Sequence, residues 1–354
     1  MDRKSITNTL ALVTALFALT INSSALADGD MPTFYGAFKL SLNSIDDGKD
    51  SNLTVSNNDS RVGIKGNHQL PQGFDLIYQL EMEFDSTERN RFNGGRNSFV
   101  GFKGSYGKFM LGQHDTPLKD VRDHGAELFD DTIAGSRSII SAVSGSTGAK
   151  LDDRAKNAIM YYSPKVSDTE LFVLYSTDTD PGDEVVDNND NDLSSVSVMH
   201  QSGPLYIGAG YQKKSQPTAT DDITATRIGF SYKFGQFSVG GILESADAGN
   251  NNVLTRDAMA VNVRYTINKD TWTGVQVGQA DDYDGSTDTG ATNISVGVVR
   301  SLDKNTSVYV VASSTDNDAN GQFGLAQGGN QDKVIAAAPG DTVTGISTGV
   351  TYKF

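Results

Sequence analysis

Cysteine is absent from the chain, which removes disulfide frameworks and thiolate metal sites from consideration. Long apolar runs are scarce too. Beyond residue 27 nothing approaches the ~18 consecutive apolar residues that a membrane-spanning helix requires. Basic residues are few: 29 Lys and Arg stand against 44 Asp and Glu, leaving a formal charge of -15. Nucleic-acid binding needs a basic face to neutralise phosphates, so this balance argues against it. Histidine is rare, with His68, His114, His124 and His200 only. His114-Asp115 and Asp123-His124 are neighbours in sequence, where side chains diverge, and no nucleophile is marked beside them. The chain therefore reads as a non-enzyme, with no catalytic residue, metal ligand or cofactor assigned.

What is present begins with an export signal. Arg3 and Lys4 precede an uncharged, largely apolar stretch from Leu10 to Ile21, and Ala25-Leu26-Ala27 offers small residues for cleavage. Residues 1–27 read as a secretory signal peptide, and residues 28–354 as one domain without an N-terminal plug.

The mature segment alternates with a period of two. Ile346, Thr348, Val350, Tyr352 and Phe354 share one face of the last strand, and Ser347, Gly349, Thr351 and Lys353 the other. Phe74, Leu76, Tyr78, Leu80, Met82 and Phe84 oppose Asp75, Gln79, Glu81, Glu83 and Asp85. Carboxylates in that density cannot face lipid, but they can line water. The same pattern recurs at 34–42, 61–65, 227–234 and 259–267. It is undecided at 96–112 and 270–280. Seven short connections alternate with eight longer polar ones, near 44–59, 86–95, 114–153, 178–192, 214–222, 246–256, 280–290 and 315–342. Fifteen connections imply sixteen strands. An even number with short turns at one end and long loops at the other is the pattern of an outer-membrane barrel. The fold expected is an all-β, transmembrane antiparallel β-barrel, wide enough to leave a water-filled channel. Phe34, Phe84, Tyr161, Tyr232, Phe237, Tyr265, Trp272, Tyr309 and Phe354 are expected in its interfacial aromatic girdles.

The connection at 114–153 exceeds what a hairpin needs and is expected to be functional. Its apolar middle, Ile133-Ala134-Gly135 and Ile139–Val143, suggests that it packs on something. Folding into the barrel would supply that wall. The loop's charged residues, Asp115, Asp120, Asp123, Glu127, Asp130, Asp131 and Arg137, would then meet wall positions. Those are Arg61, Lys65, Glu81, Glu83, Arg96 and Arg154. Opposed charges across a narrow water path set a size limit and a transverse field. The acidic run Asp178, Asp180, Asp183, Glu184, Asp187, Asp190 and Asp192 lacks the spacing of a calcium loop and reads as solvated.

Four patches carry a family likeness: Phe34-Tyr35-Gly36; Ser60-Arg61-Val62-Gly63-Ile64-Lys65-Gly66; Arg154 with Asn157, Ile159, Tyr161 and Ser163-Pro164; and Leu302, Lys304, Thr306 and Tyr309 with terminal Tyr352-Lys353-Phe354. Their order and spacing resemble the general bacterial porins, in the neisserial and burkholderial branch. The resemblance implies a homotrimer of sixteen-stranded barrels in the outer membrane of a Gram-negative cell. Each would sit among membrane lipid and lipopolysaccharide and pass ions and small hydrophilic solutes passively. It also implies that Phe354 is an address read by the barrel-assembly machinery. The chain departs from the family with Gln113 and Asn305 where arginine is common. The acidic loops lead us to expect weak cation preference. A substrate-specific channel is the alternative, and a surface enzyme or adhesin barrel the more remote one.

Overall fold

The structure, a computed structural model, describes residues 31–87, 92–141, 151–152, 154–179, 191–215, 222–247, 255–326 and 338–354. The expected signal peptide lies outside these residues, as do Ala142 and Val143 of the long loop and Asp180 to Asp190 of the acidic run.

Eighteen hydrogen-bonded segments form one sheet, and two interrupted strands reduce them to sixteen. They are β1 (Thr33–Asp46), β2 (Ser51–Asn57, resuming at Arg61–Gln69), β3 (Asp75–Phe84), β4 (Phe92–Gly95, resuming at Ser98–Gly104), β5 (Gly107–Asp115), β6 (Arg154–Tyr162), β7 (Thr169–Ser176), β8 (Leu193–Ser202), β9 (Leu205–Lys214), β10 (Ile223–Phe234), β11 (Phe237–Asp247), β12 (Thr255–Asn268), β13 (Thr271–Ala280), β14 (Ala291–Ser301), β15 (Thr306–Asn317) and β16 (Val343–Lys353). Each pairs antiparallel with its neighbour in sequence, and β16 closes on β1 from Ala37↔Lys353 to Asp46↔Thr344. Closure removes both sheet edges, so no strand presents an unpaired edge to lipid. Phe354 seals the seam. Its amide donates to Gly36 O at 3.1 Å and its carbonyl accepts from Gly36 N at 3.0 Å.

The two faces differ as the alternation requires. Ile207, Ile228, Leu243, Val261, Val275 and Ile346 are exposed, whereas Tyr206, Arg227, Glu244, Asn262, Gln276 and Ser347 on the opposite face are buried. Large apolar side chains exposed in series around a closed barrel form a lipid-facing belt. The buried polar set defines the inner face.

Two expectations need correction. The first long connection is only a turn, Asp47–Asp50, because Ser51–Asn57 pairs in full with β1. This segment is rich in polar residues because its inner face is polar: Asn43 Nδ2 donates to Ser56 Oγ at 2.9 Å. The strand breaks at Asn58–Ser60, where Asp59 takes a left-handed φ of 64°. The second correction concerns the girdle. Trp272 and Tyr309 face inward. Trp272 stacks on Phe129 with centroids 5.8 Å apart, and Tyr309 accepts from Asn58 Nδ2 at 3.0 Å. The other aromatics of that set lie on or beside the outer belt; Phe84 meets the Phe38 ring edge-on at 5.1 Å.

Candidate functional site

The connection between β5 and β6 is built to bind the inner face. Thr116 Oγ1 caps a single turn of helix, α1 (Pro117–Asp120), by accepting from Lys119 N at 3.4 Å, and Pro117 supplies a preset φ at its start. From there the chain follows the wall strand by strand. Leu118 N donates to Ser195 Oγ of β8 at 3.2 Å, and Tyr206 of β9 donates to Val121 O at 2.9 Å. Ser231 of β10 reaches His124 O at 2.7 Å, and Asn262 of β12 reaches Ala126 O at 2.7 Å. Gln276 of β13 accepts from Leu128 N at 3.1 Å and donates to Ala134 O at 3.3 Å. The wall side chains thus satisfy loop backbone groups that would otherwise be buried unpaired.

Apolar contacts fill the spaces between these bonds. Ala126, Ile139 and Ile140 pack with Tyr206, Ile242 and Ala260; Phe129, Ile133 and Ala134 pack with Ile45, Val311 and Val343. Glycine on the wall sets the closeness. A Cβ on Gly229 would stand 2.1 Å from Val121 O, and one on Gly240 2.1 Å from Gly125 O. No other residue type fits beneath the loop backbone there.

The strongest anchor is Arg227, which is 0% exposed. It donates to Asp152 Oδ1 at 2.6 Å, Ser141 Oγ at 2.7 Å, Leu118 O at 3.1 Å and Glu244 of β11 at 2.8 Å through Nε. Burial alone would raise the Asp152 carboxyl. Arg227 beside it, helped by Arg122 and Arg137, instead holds it well below the usual carboxylate range.

The expected site residues separate into paired and open groups. Asp115 belongs to the end of β5 rather than to the loop, where Lys119 (2.6 Å) and Arg154 (3.1 Å) neutralise it. Glu127 accepts from Ser136 N at 2.7 Å and pairs with Arg122, which also holds Asp130 at 2.9 Å. Asp131 pairs with Lys39 of β1, tying the loop to the opposite side of the seam. Arg137 stands 3.4 Å from Asp152. Arg96 is enclosed by carboxylates: Glu81 at 2.7 Å, Asp59 at 3.3 Å and Glu83 at 3.7 Å. Tyr35 Oη adds a 2.8 Å bond to Glu81. Lys65 lies over the Tyr35 ring at 4.9 Å and remains exposed, while Arg61 is half-buried.

On the loop, Asp123 and Asp130 remain exposed. Asp120 is half-buried under a 3.4 Å bond from Tyr162 Oη. Burial, with Asp115 and Asp123 nearby, pushes its carboxyl well up. Desolvation lifts the Asp123 carboxyl to about 6, with Asp130, Asp115 and Glu127 adding to it against Arg122. Asp123 is thus charged above about pH 6 and neutral below. Lys39, Arg227, Glu244 and Asp152 escaped the sequence reading as site residues. Their signal was faint: Arg227 and Glu244 are charges at mid-strand inner positions, flanked two residues away by Ala225, Gly229, Ile242 and Ala246.

A closed barrel with an apolar outer belt and a polar, charge-laced inner face defines an outer-membrane β-barrel of the channel-forming kind. A sequence profile described as Gram-negative porin matches residues 11–320, and the chain belongs to that family. It is therefore placed in the outer membrane. Among curated relatives it is 31% identical to major outer membrane protein P.IB of Neisseria gonorrhoeae over 116 residues, which is 30% of this chain and 33% of the relative. That match spans about a third of the relative's length. Among solved structures, an anion-selective porin from Comamonas acidovorans superposes with a TM-score of 0.78 at 23% identity, covering 92% of this chain and 100% of that one. The trimer form of OmpT of Vibrio cholerae gives 0.71 at 18%, covering 92% and 100%. At these identities the structural likeness speaks for the fold.

Proposed function

We propose that the protein is a general diffusion pore whose β5–β6 loop crosses the lumen as the constriction, with weak cation preference. The observation that carries this is the loop's hydrogen bonding to inner-face side chains from β8 to β13, which leaves Asp123 exposed and Asp130 exposed beside its partner Arg122. On the wall, Arg61 is half-buried and Lys65 exposed over the Tyr35 ring, while Arg96, Arg122 and Arg154 are already balanced by carboxylates. Accessible charge, rather than total charge, sets the selectivity of a water path.

The reversal potential in a salt gradient tests it. Wild type is expected to favour K⁺ over Cl⁻ by a small factor, and Asp123→Asn/Asp130→Asn to favour Cl⁻. Cation preference should fall as pH drops through about 6, because Asp123 loses its charge there. A wild-type channel selective for anions, like the named preference of the Comamonas porin, would sink the cation reading.

A second reading, a channel selective for particular solutes, draws on aromatic rings that the inner face does contain. Lys65 over Tyr35 (4.9 Å), Lys108 over Tyr162 (3.9 Å) and Arg264 over Trp272 (4.4 Å) offer cation–aromatic surfaces. Liposome swelling that follows solute size alone favours the general pore. A solute passing far faster than its size permits favours the specific one.

The homotrimer, contact with lipopolysaccharide and recognition of Phe354 by the assembly machinery belong to the same proposal. Phe354 packs 5.8 Å from Phe34 and 6.1 Å from Phe38 on the outer belt. Its deletion should deplete folded protein from the outer membrane in cells more than it impairs refolding in detergent. Equal loss in both settings would make it a seam residue only.

A further inference from the structure

The inner wall carries a basic band at its short-turn end, whereas acids crowd the exposed loops at the other end. Toward the short turns, Lys65, Lys103, Lys108, Lys233, Arg264 and Lys353 all fall on the inner face, as their registers require. Lys103 pairs with Lys108, Lys108 with Tyr162, Lys233 with Ser238, Ser238 with Arg264, and Lys353 with Ala37. Asp75, opposite Lys103, and Glu170, opposite Met199, are the wall acids on that band among the described residues, and Asp120 of the loop meets it through Tyr162. Lys103 directly opposite Lys108 is an unfavourable cross-strand pair, so this band stands at a cost to folding.

The long-loop end is the reverse between β13 and β16, while elsewhere at that end Lys49 and Lys213 are paired with Asp341 and Asp222. Asp281, Asp282, Asp284, Asp288, Asp316 and Asp318 are all exposed there. No lysine or arginine occurs between Asp270 and Arg300, or between Lys304 and Lys333. In this stretch the bases sit at the short-turn end and the acids at the other. The separation cannot follow from the family's lipid-facing pattern, which constrains only the outer face.

We infer that the channel is an ionic rectifier: a cation-accumulating outer mouth in series with an anion-accumulating inner vestibule. This rests on the pore reading above and adds a direction to it. With the long-loop side positive, cations enter through the acidic mouth while anions enter through the basic vestibule. Both carriers then accumulate at the junction and the current is high. With the polarity reversed, each ion meets the end that repels it and the junction is depleted. The effect requires fixed charge to reach across the lumen. It should therefore appear at about 0.1 M salt, where the screening length is ~10 Å, and fade at about 1 M, where it is ~3 Å.

The test is current through single channels at both polarities. Orientation is read from one-sided block by a maleimide polymer attached to Ser286→Cys, a long-loop position in a chain with no other cysteine. At low salt the current is expected to be about twofold larger with the long-loop side positive, and nearly symmetric at high salt. Lys103→Gln/Lys108→Gln/Lys233→Gln removes three of the six bases and should cut the asymmetry by about half while leaving high-salt conductance nearly unchanged. Symmetric low-salt currents in wild type overturn the rectifier and leave the pore standing. Asymmetry that the triple variant leaves undiminished overturns the basic band as its origin. Absence of any channel current overturns the pore reading and this inference together.

Discussion

Arg227→Met is expected to destabilise the folded barrel by about 3–5 kcal/mol, the usual cost of removing one member of a buried ionic cluster. The guanidinium is fully buried and serves Asp152, Glu244, Ser141 and Leu118 O at once. Without it, two carboxylates remain in a dry site with their main partner gone. Asp152 lies at the end of the loop and Glu244 on β11, so their mutual repulsion should lift the loop off the wall. Urea titration of refolding in detergent should give the stability loss, and single-channel records should show a larger, noisier open state. Replacing the whole cluster, as Asp152→Leu/Arg227→Met/Glu244→Leu, should recover much of the stability, because apolar groups of similar volume need no partners. A single variant as stable as wild type would mean that Arg227 does not anchor the loop.

Gly229→Val/Gly240→Val is expected to act in the opposite direction on conductance. Each ideal Cβ would lie 2.1 Å from a loop carbonyl oxygen, so the backbone from Val121 to Gly125 must move off the wall. Its other anchors hold, including the Arg227 cluster and the Gln276 bonds. The only direction left is toward the lumen, which narrows the opening. Step conductance should fall on the order of twofold, and stability by about 1–3 kcal/mol from overpacking. Placing the same substitution at Gly203 is the control. That glycine lies in a short turn with nothing within 4 Å of its Cβ, although its φ of 55° adds local strain. A drop in conductance equal to the control's would place the loop elsewhere.

The barrel was largely legible in the sequence because lipid imposes a strict rule on one face. Alternation and loop lengths sufficed for the strand number, and the lipid-facing set Phe74 to Phe84 followed directly. The rule fails where the inner face is also apolar. Phe99, Gly101 and Met110 point inward and pack near Tyr162 and Phe172, which left the pattern at 96–112 undecided. Trp272 misled for the same reason, since its inward neighbour is Phe129 of the loop, remote in sequence. Asn52 and Ser56 read as loop because a strand lining water needs no apolar inner side.

The site was legible by type but not by pairing. The loop's apolar middle does find a wall, with Ile139, Ile140 and Ala134 all buried. Its acids, however, mostly meet cations supplied by the loop itself or by strands far along the chain. Arg122 takes Glu127 and Asp130, and Lys39 takes Asp131 across 92 positions. A linear sequence gives the charges but not which of them cancel. Asp123 and Asp130 stand out by exposure alone, and Asp130 keeps its bond to Arg122. The wall glycines offered a clue, since small residues on the inner face of a wide barrel make room for something to lie against it.

A water-filled barrel narrowed by one loop must pass ions in discrete steps. Single-channel recording of the purified protein in a planar bilayer tests it most directly. At about 1 M salt, where fixed charge is screened, the expected result is discrete steps that close in thirds, as three pores in one trimer would. An electrically silent membrane, with folded barrels inserted in it, would contradict the claim.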